Sequence, residues 1–292
     1  SYKINYQQAH QELIGLLPNM DEPISDSAII SSSFLSARAR ENGVKVMLSG
    51  AGGDEIFGGY RRHYGSKRRI FSGSLSFLRE LNLSNFIHGS ENFVNILTLL
   101  QSKPLAYALS TSGINLKPIY KCLNDKKLFQ EILKKNHNQF QESFNLGSKS
   151  QINKFLFTDI NNYLLDNVLA LTDKTSMSHS VEARVPFLDH NLVQTAIIAT
   201  SNFFVNSNFK NSKRFLKDIV SDKLPSQVLN RKKVGFNSPM NLWIKKMFKL
   251  EYNNKINLKT ELMNNIFDTN EIFNLLNIKD DKNEYSEFLF MI

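Results

Sequence analysis

A glycine-rich loop with two adjacent carboxylates is the part of this sequence best suited to chemistry. The loop occupies residues 49–55 and follows the mostly apolar run 44–48. Small residues after a strand let backbone N–H groups approach a phosphate closely, whereas a bare phosphate repels Asp54 and Glu55. A magnesium ion removes this conflict, because proteins commonly hold Mg²⁺ through one or two carboxylates together with substrate phosphates. The loop therefore predicts a nucleotide site in which Asp54 binds the metal. In the alternative interpretation, the two carboxylates only complement the dipole at the start of a helix.

Three other stretches carry charged side chains that suit the same nucleotide. Residues 173–189 concentrate charge around a proline, residues 211–217 place two lysines on one helical face, and residues 224–236 supply cations before a glycine. Preorganised cations stabilise the charge that develops on a pyrophosphate leaving group. The side chains concerned are Asp173, Lys174, Ser176, Glu182, Arg184, Lys213, Lys217, Arg231 and Lys233. Each stretch taken alone is also typical of surface salt bridges and solvated lysines.

An alternation of helix, strand and glycine-rich turn predicts an α/β fold around the loop. Residues 31–41 have helical spacing and end at Gly43, and residues 44–48 predict a strand buried on both faces of a parallel sheet. Ligands of open α/β sheets bind at the carboxyl ends of strands, which is where the loop lies. Beyond the loop the pattern is helical, with segments predicted over residues 91–100, 126–137, 155–169 and 177–184, and with Asp189 expected to cap a further helix.

The composition is that of an ordinary globular protein with a basic surface. Of the 292 residues, 41% are hydrophobic and 22% charged, and the formal net charge is +9. Basic clusters such as residues 61–63 are interpreted as solvated surface, although summed positive charge also steers anionic substrates or RNA. The single cysteine, Cys122, excludes an internal disulfide and a cysteine-rich metal site. Because the sequence shows neither a signal-peptide pattern nor an apolar run of spanning length, we expect a cytoplasmic protein with no membrane or nucleic-acid partner.

Together and in this order, the segments resemble the C-terminal synthetase domain of glutamine-hydrolysing asparagine synthetases, in the N-type ATP pyrophosphatase group. The resemblance rests on residues 21–26, 46–60, 173–177, 181–190, 213–217 and 224–236. It implies an α/β fold with a parallel-sheet ATP pyrophosphatase core (adenine nucleotide alpha hydrolase-like), incomplete at its start, and a large, mostly helical C-terminal part. Residues 1–292 would then be one synthetase-type domain, made of the end of the nucleotide-binding core (1–70), a variable helical segment (71–150), a helical part that contributes site residues (151–250) and a divergent tail (251–292).

The resemblance also implies an activity and assigns roles in it. ATP would adenylylate the side-chain carboxylate of aspartate and release pyrophosphate, and ammonia from a glutaminase domain would then displace AMP. Lys213 would be the catalytic cation that stabilises charge at the α-phosphate, and Asp54 would bind Mg²⁺. The remaining residues implied to bind ATP or to border the site are Ser49, Gly50, Gly52, Gly53, Asp173, Lys174, Glu182 and Arg184. A homodimer is a further expectation.

Three departures from the family pattern keep other interpretations open. Ala51 stands where the family often places a glutamate that assists the reaction, and a methyl group can neither accept a proton nor orient an amine. A second magnesium-binding loop and the glutaminase domain fall outside these 292 residues, so the chain by itself is not expected to complete the reaction. The alternatives are a ligase that amidates another carboxylate, such as a sugar acid, an RNA-modifying enzyme of the same group, and a scaffold that has lost activity.

Overall fold

The computed structural model describes residues 4–22, 24, 26–64, 107, 116–147, 150–204, 212–231, 243, 246 and 265–277. The chain forms two compact units, the first of residues 1–31, 70–138 and 237–292 and the second of residues 32–69 and 139–236. The helices and strands are α1 (Tyr6–Leu16), α2 (Ala28–Glu41), β1 (Val46–Leu48), α3 (Gly53–Phe57), α4 (Leu116–Cys122), α5 (Lys126–Leu146), α6 (Gln151–Thr158), a π-helix (Asp159–Leu169), α7 (Ala170–Met177), β2 (Glu182–Arg184), α8 (His190–Phe204), α9 (Arg214–Ile219), α10 (Ser226–Leu229) and α11 (Thr269–Asn277). Short 3₁₀ helices lie at Leu17–Asn19, Arg61–Tyr64 and Pro186–Leu188. The fold is thus mostly helical α/β with a small parallel sheet.

In the first unit, the end of α4 and the residues just after it contact the segment that precedes α11 through backbone hydrogen bonds. Leu123 and Phe267 form an isolated antiparallel bridge, and the Asp268 N–H donates to the carbonyl of Cys122 over 2.6 Å. The Lys126 ammonium group lies at the end of α4 and donates to the carbonyl oxygens of Leu123, at 2.6 Å, and of Tyr120. A cation in this position satisfies carbonyls that have no partner within the helix. The predicted helix over residues 126–137 is confirmed and continues to Leu146 as α5, whereas residues 91–100 lie outside the described part of the chain.

Cys122 lies in the core of this unit, and its thiol is expected to be unreactive in the folded protein. The side chain is fully buried, and burial, together with the charges of Glu271 and Asp268, raises the pKa of the thiol to about 12. Because the thiolate is the reactive species, we expect disulfide reagents to label Cys122 only as fast as the surrounding structure opens. Mass spectrometry of the Cys122 peptide, labelled at increasing denaturant concentration, measures this rate. Rapid labelling in the absence of denaturant would contradict the buried position.

The second unit contains the predicted strand, but that strand is shorter and more exposed than expected. β1 pairs in parallel with β2, with Val46 opposite Glu182 and Leu48 opposite Arg184. The prediction of burial on both faces is wrong here, because Val46 is 44% and Leu48 is 76% exposed. The physical reason is that the described sheet has only two strands, so one edge of β1 and much of its surface have no covering layer among the described residues.

The helix predicted over residues 177–184 is also wrong, because α7 ends at Met177. Ser180 adopts a left-handed backbone conformation with φ 55°, and the Val181 N–H donates to the carbonyl of Ser176 over 3.0 Å. These contacts close the end of the helix and turn the chain into β2. Three residues are too few for a period of two to be distinguished from a helical period, so the strand left no clear sequence signal.

Other predicted elements of this unit are confirmed with small changes. α2 ends near Gly43, whose φ of 77° is the left-handed conformation expected of a glycine after a helix. Asp189 caps α8, since its Oδ1 accepts hydrogen bonds from the N–H groups of Asn191 and Leu192 at 3.0 and 3.1 Å. The helix predicted over residues 155–169 is present and begins earlier, as α6 followed by the π-helix. None of the helices in the described part of the chain combines the length and apolar character that a membrane span requires.

Candidate functional site

The glycine-rich loop leaves the sheet at the carboxyl end of β1, as predicted. The Ser49 N–H donates to the carbonyl of Arg184 over 2.7 Å, so the loop begins where both strands end. Inside the loop the Ser49 hydroxyl accepts the N–H of Ala51 at 3.2 Å. Gly52 has φ 86°, and a Cβ at this position would overlap the side chain of Leu188. Both observations require glycine at position 52.

An apolar cluster holds α3 in place behind the loop. Ile56 and Phe57 are almost fully buried, and they pack with Ala196 of α8 and with partly buried side chains on the neighbouring elements, namely Phe187, Leu188, Leu192, Val193, Phe215 and Leu216. The Thr200 hydroxyl also donates to the carbonyl of Ile56 over 3.1 Å. With its apolar side fixed in this way, α3 holds the Asp54 side chain in a partly exposed position, 26% accessible.

Asp54 forms an ion pair with Lys213, the catalytic cation implied by the resemblance. The Nζ of Lys213 lies 3.1 Å from Oδ1 of Asp54, and both side chains remain about a quarter exposed. Lys213 immediately precedes α9 and adopts a left-handed conformation, with φ 56° and ψ 33°. For a residue with a side chain this conformation costs roughly 1–3 kcal/mol, and such strain is concentrated at functional sites. The structure therefore brings the predicted metal ligand and the predicted cation together.

The second carboxylate of the loop, Glu55, is buried and has a different partner. Glu55 is 1% exposed, and Oε1 accepts a hydrogen bond from the Tyr60 hydroxyl over 2.5 Å. Burial raises the pKa of Glu55, and the hydrogen bond from Tyr60 only partly opposes that effect. Burial and the charge of Glu55 also raise the pKa of Tyr60, so the phenol stays protonated and donates a hydrogen bond to Glu55. Of the two carboxylates, only Asp54 is accessible to a ligand.

Most of the other predicted site residues lie on α7 and β2, whereas Lys217 lies on α9 and Arg231 follows α10. Asp173 is exposed and Lys174 is half-buried on α7, the helix that leads into β2. Glu182 and Arg184 pair with each other at 2.8 Å, with their side chains 55% and 62% exposed. Their salt bridge is the ordinary surface interaction that the sequence also allowed. Lys233 lies outside the described residues.

Four functional candidates in this unit were not predicted from the sequence. Arg62 and His63, which were interpreted as solvated surface, instead lie against the buried carboxylate of Asp159, and Tyr60 packs beside them. The relative exposure of the His63 side chain is 0%. The interpretation of Arg62 and His63 as solvated surface is wrong, because the carboxylate that pairs with Arg62, that of Asp159, is 97 residues away along the chain. The only local signal was the mixture of Tyr60 with cations directly after the glycines.

The residues of the site fit Mg²⁺ in one particular way. Within the described part of the chain there is no group of three acidic, histidine or cysteine side chains that could enclose a metal ion. Asp54 is a single accessible carboxylate that already lies against a cation, Lys213. Mg²⁺ is often held by one or two carboxylates, with the substrate phosphates and water supplying the other oxygens. Asp54 therefore fits a metal ion that arrives with a nucleotide better than a metal ion held by the protein alone.

Comparison with known proteins identifies the family of the chain. The family model described as "Asparagine synthase" matches residues 1–290. The chain belongs to the asparagine synthase family. Among curated members, it is 30% identical to "Asparagine synthetase [glutamine-hydrolyzing] 1" of Bacillus subtilis over 249 residues, which are 83% of this chain and 38% of that protein. It is 26% identical to a "Putative asparagine synthetase [glutamine-hydrolyzing]" of Mycobacterium bovis over 245 residues, which are 80% of this chain and 36% of that protein. The chain thus spans less than two fifths of these asparagine synthase relatives.

Proposed function

We propose that the chain forms the nucleotide-handling part of an asparagine-synthetase-type ligase. In the proposed reaction a side-chain carboxylate oxygen of aspartate attacks the α-phosphorus of ATP, and pyrophosphate leaves. Glutamine-derived ammonia then attacks the acyl carbon of the acyl-adenylate, and AMP leaves as the amide forms. The observation that carries this proposal is the 3.1 Å pair of Asp54 and Lys213 at the carboxyl end of β1, in a member of the asparagine synthase family.

The geometry gives each side chain a separate task. The N–H groups and small side chains of the loop from Ser49 to Gly53 would bind the nucleotide, because a Cβ at Gly50 would meet nothing within 4 Å and the backbone is open there. Lys213 would stabilise the negative charge that develops at the α-phosphate and on the leaving pyrophosphate. Asp54 would hold Mg²⁺, which when bound neutralises phosphate charge. The Asp54–Lys213 contact keeps both groups oriented toward the same small volume.

The exposed surface of β1 supports the finer prediction of an ATP pyrophosphatase core. Parallel sheets are normally covered on both faces, and ATP-binding sites of α/β proteins lie at the carboxyl ends of several adjacent strands. β1 and β2 would then be two strands of a larger parallel sheet. A glutaminase domain as the source of ammonia agrees with the names of the relatives, which are glutamine-hydrolysing enzymes, and with the share of their length that the chain spans. A homodimer and a cytoplasmic location stay predictions.

Ala51 favours one second candidate, a ligase that amidates a carboxylate other than that of free aspartate. The residue lies in the loop between Gly50 and Gly52, and its side chain can neither accept a proton nor orient an amine. Its neighbour Glu55 is buried against Tyr60 and is not placed to substitute for it. This loop would suit an acceptor acid whose amidation needs no carboxylate at position 51 to accept a proton or to orient ammonia.

Transfer of a heavy-oxygen label tests the proposed chemistry. The intact protein is incubated with ATP, Mg²⁺, glutamine as the source of ammonia, and aspartate whose side-chain carboxylate oxygens carry the label. If the carboxylate attacks the α-phosphorus, one labelled oxygen appears in AMP when the amide forms. Label in inorganic phosphate, accompanied by ADP, would instead show attack on the γ-phosphorus and would contradict the proposal. Label transfer with another acid but not with aspartate would favour the second candidate.

Gly59 provides a test of the ion-pair geometry that changes no charge. A Cβ at position 59 would overlap Oδ1 of Asp54 and would lie 2.5 Å from Cε of Lys213. We expect Gly59→Ala to displace this pair and to slow the adenylylation step roughly 10²-fold, as small displacements of reacting groups can do. Gly15→Ala is the matched control, because a Cβ at Gly15 in α1 meets nothing within 4 Å. Equal activities of the two variants in the label-transfer assay would contradict the arrangement.

A further inference from the structure

A buried charge cluster connects the segment after α3 to the π-helix. The cluster consists of Arg62, His63 and Asp159. Asp159 is the first residue of the π-helix, and the other two lie in the 3₁₀ helix Arg61–Tyr64. Counted over the whole residue, Asp159 is 0% and His63 is 3% exposed. None of the three belongs to the nucleotide site described above, so the cluster needs its own explanation.

One oxygen of Asp159 receives all the hydrogen bonds of the cluster. Oδ2 lies 2.9 Å from Nη2 and 3.2 Å from Nε of Arg62, and 2.8 Å from Nε2 of His63. Burial by itself would raise the pKa of Asp159, but the hydrogen bond from His63 and the charge of Arg62 outweigh it, and the pKa is lowered. Asp159 is therefore ionised, and the Nε2 of His63 must donate. The Nδ1 of His63 accepts a long hydrogen bond from the backbone N–H of Tyr60, with 3.4 Å between the two nitrogens.

Tyr60 contacts both the cluster and α3. The guanidinium group of Arg62 lies 3.8 Å from the centre of the Tyr60 ring, and Tyr163 of the π-helix contacts the same ring edge-on. The Tyr60 hydroxyl donates to Glu55, the residue after Asp54. The N–H of the preceding residue, Gly59, donates to the carbonyl of Asp54 over 2.8 Å. Two hydrogen bonds thus tie the Tyr60 segment to the helix turn that carries Asp54.

We infer that Asp159 is a positioning residue of the nucleotide site, which fixes Arg62, His63 and Tyr60 and through them sets the position of Asp54 opposite Lys213. This inference rests on the proposed function, because it concerns the residue assigned to the metal–nucleotide complex. A buried ion pair contributes little net stability, yet it fixes the orientation of its partners. π-Helices are found frequently at functional sites, and residues that orient a metal ligand typically change metal affinity when they are mutated.

The test is made in the intact protein with Asp159→Asn, which keeps the shape of the side chain and removes its charge. Electron paramagnetic resonance of Mn²⁺ measures the dissociation constant of Mn²⁺–ATP without requiring turnover. We expect the constant to rise roughly 10–100-fold. Hydrogen exchange of the ligand-free protein should show faster exchange of the amides of residues 53–60, which Asp159 holds only indirectly.

Further variants separate positioning from stability. Leu275→Ala removes a buried side chain of α11 from the first unit, whereas the cluster lies in the second, so it should lower the melting temperature and leave the Mn²⁺–ATP constant unchanged. His63→Ala removes one donor to Asp159. It should raise the Mn²⁺–ATP dissociation constant and speed amide exchange over residues 53–60, as Asp159→Asn does. His63→Gln, which retains an N–H near the Nε2 position, should return the dissociation constant and the exchange rates toward the wild-type values. The His63 pair gives the answer if Asp159→Asn does not fold.

Each outcome decides the inference. If the Asp159 and His63→Ala variants bind Mn²⁺–ATP as tightly as Leu275→Ala does, the positioning role is wrong. If amide exchange over residues 53–60 is unchanged, the proposed route through Tyr60 is wrong. If the wild-type protein binds Mn²⁺–ATP but adenylylates no acid, the proposed reaction fails while the positioning test stands. If the wild-type protein does not bind Mn²⁺–ATP, both are overturned.

Discussion

Lys213→Ala is expected to reduce ATP–pyrophosphate exchange by the intact protein at least about 10²–10³-fold, the loss typical for a single preorganised group that stabilises transition-state charge. The reason is geometric, because the Nζ of Lys213 is the cation placed beside Asp54 at the end of β1. The fold should survive the change, since both side chains of the pair are partly exposed and such ion pairs contribute little stability. The rate of incorporation of labelled pyrophosphate into ATP measures the effect, and thermal unfolding checks the fold.

The neighbouring residue provides a matched control for Lys213. Arg214 carries the same charge on the next residue, but its side chain is 47% exposed and pairs with Asp218 on the outer face of α9. Arg214→Ala is therefore expected to retain nearly wild-type exchange. A Lys213→Ala variant that exchanges as fast as Arg214→Ala would remove Lys213 from the reaction.

Arg62→Met is expected to lower the free energy of unfolding of the intact protein by about 3–5 kcal/mol, the cost of leaving a buried charge without its partner. Arg62 is 11% exposed and Asp159 is 1% exposed at the side chain, so water cannot replace the lost guanidinium group. Methionine keeps much of the aliphatic length over Tyr60 and removes the charge. Chemical denaturation measures the difference. Arg214→Met, which breaks only an exposed ion pair, should change the same quantity by less than about 1 kcal/mol.

The pH dependence of this loss has a definite sign. The pKa of Asp159 is lowered in the folded protein, so its ionised form contributes stability that is present above the ordinary carboxyl pKa and is lost as the pH falls through the folded value. The difference between wild type and Arg62→Met should therefore be largest near neutral pH and shrink in acid, where Asp159 becomes protonated. A difference that does not change with pH would mean that Arg62 acts through packing and not through charge.

The part of the site that lies in one local stretch could be predicted from the sequence. The loop from Ser49 to Gly53, its place after a strand and the left-handed Gly43 all follow from short-range patterns that the structure repeats. The partner of Asp54 could not be derived from such patterns. Lys213 is far away in sequence, and only the resemblance to a family singled it out among the several cations that the sequence offered for the site.

What the sequence could not show depends on contacts between distant residues. Asp159 lies within a regular helical pattern, and a π-helix differs from an α-helix by a hydrogen-bond shift that residue spacing does not reveal. Glu55 and Asp54 look equivalent in the sequence, yet Tyr60 sequesters one and Lys213 faces the other. The exposure of Leu48 was missed because a run of apolar residues predicts a strand covered on both faces. The run does not indicate which neighbouring strands and helices the described sheet contains.

Aspartate-dependent exchange of labelled pyrophosphate into ATP by the intact protein tests the central claim most directly. The proposed adenylylation is reversible before ammonia attacks, so label should enter ATP when Mg²⁺ and aspartate are both present, with glutamine and ammonia left out. Exchange that requires another acid and never occurs with aspartate would contradict the asparagine assignment. The absence of exchange with every acid supplied would contradict adenylylation itself.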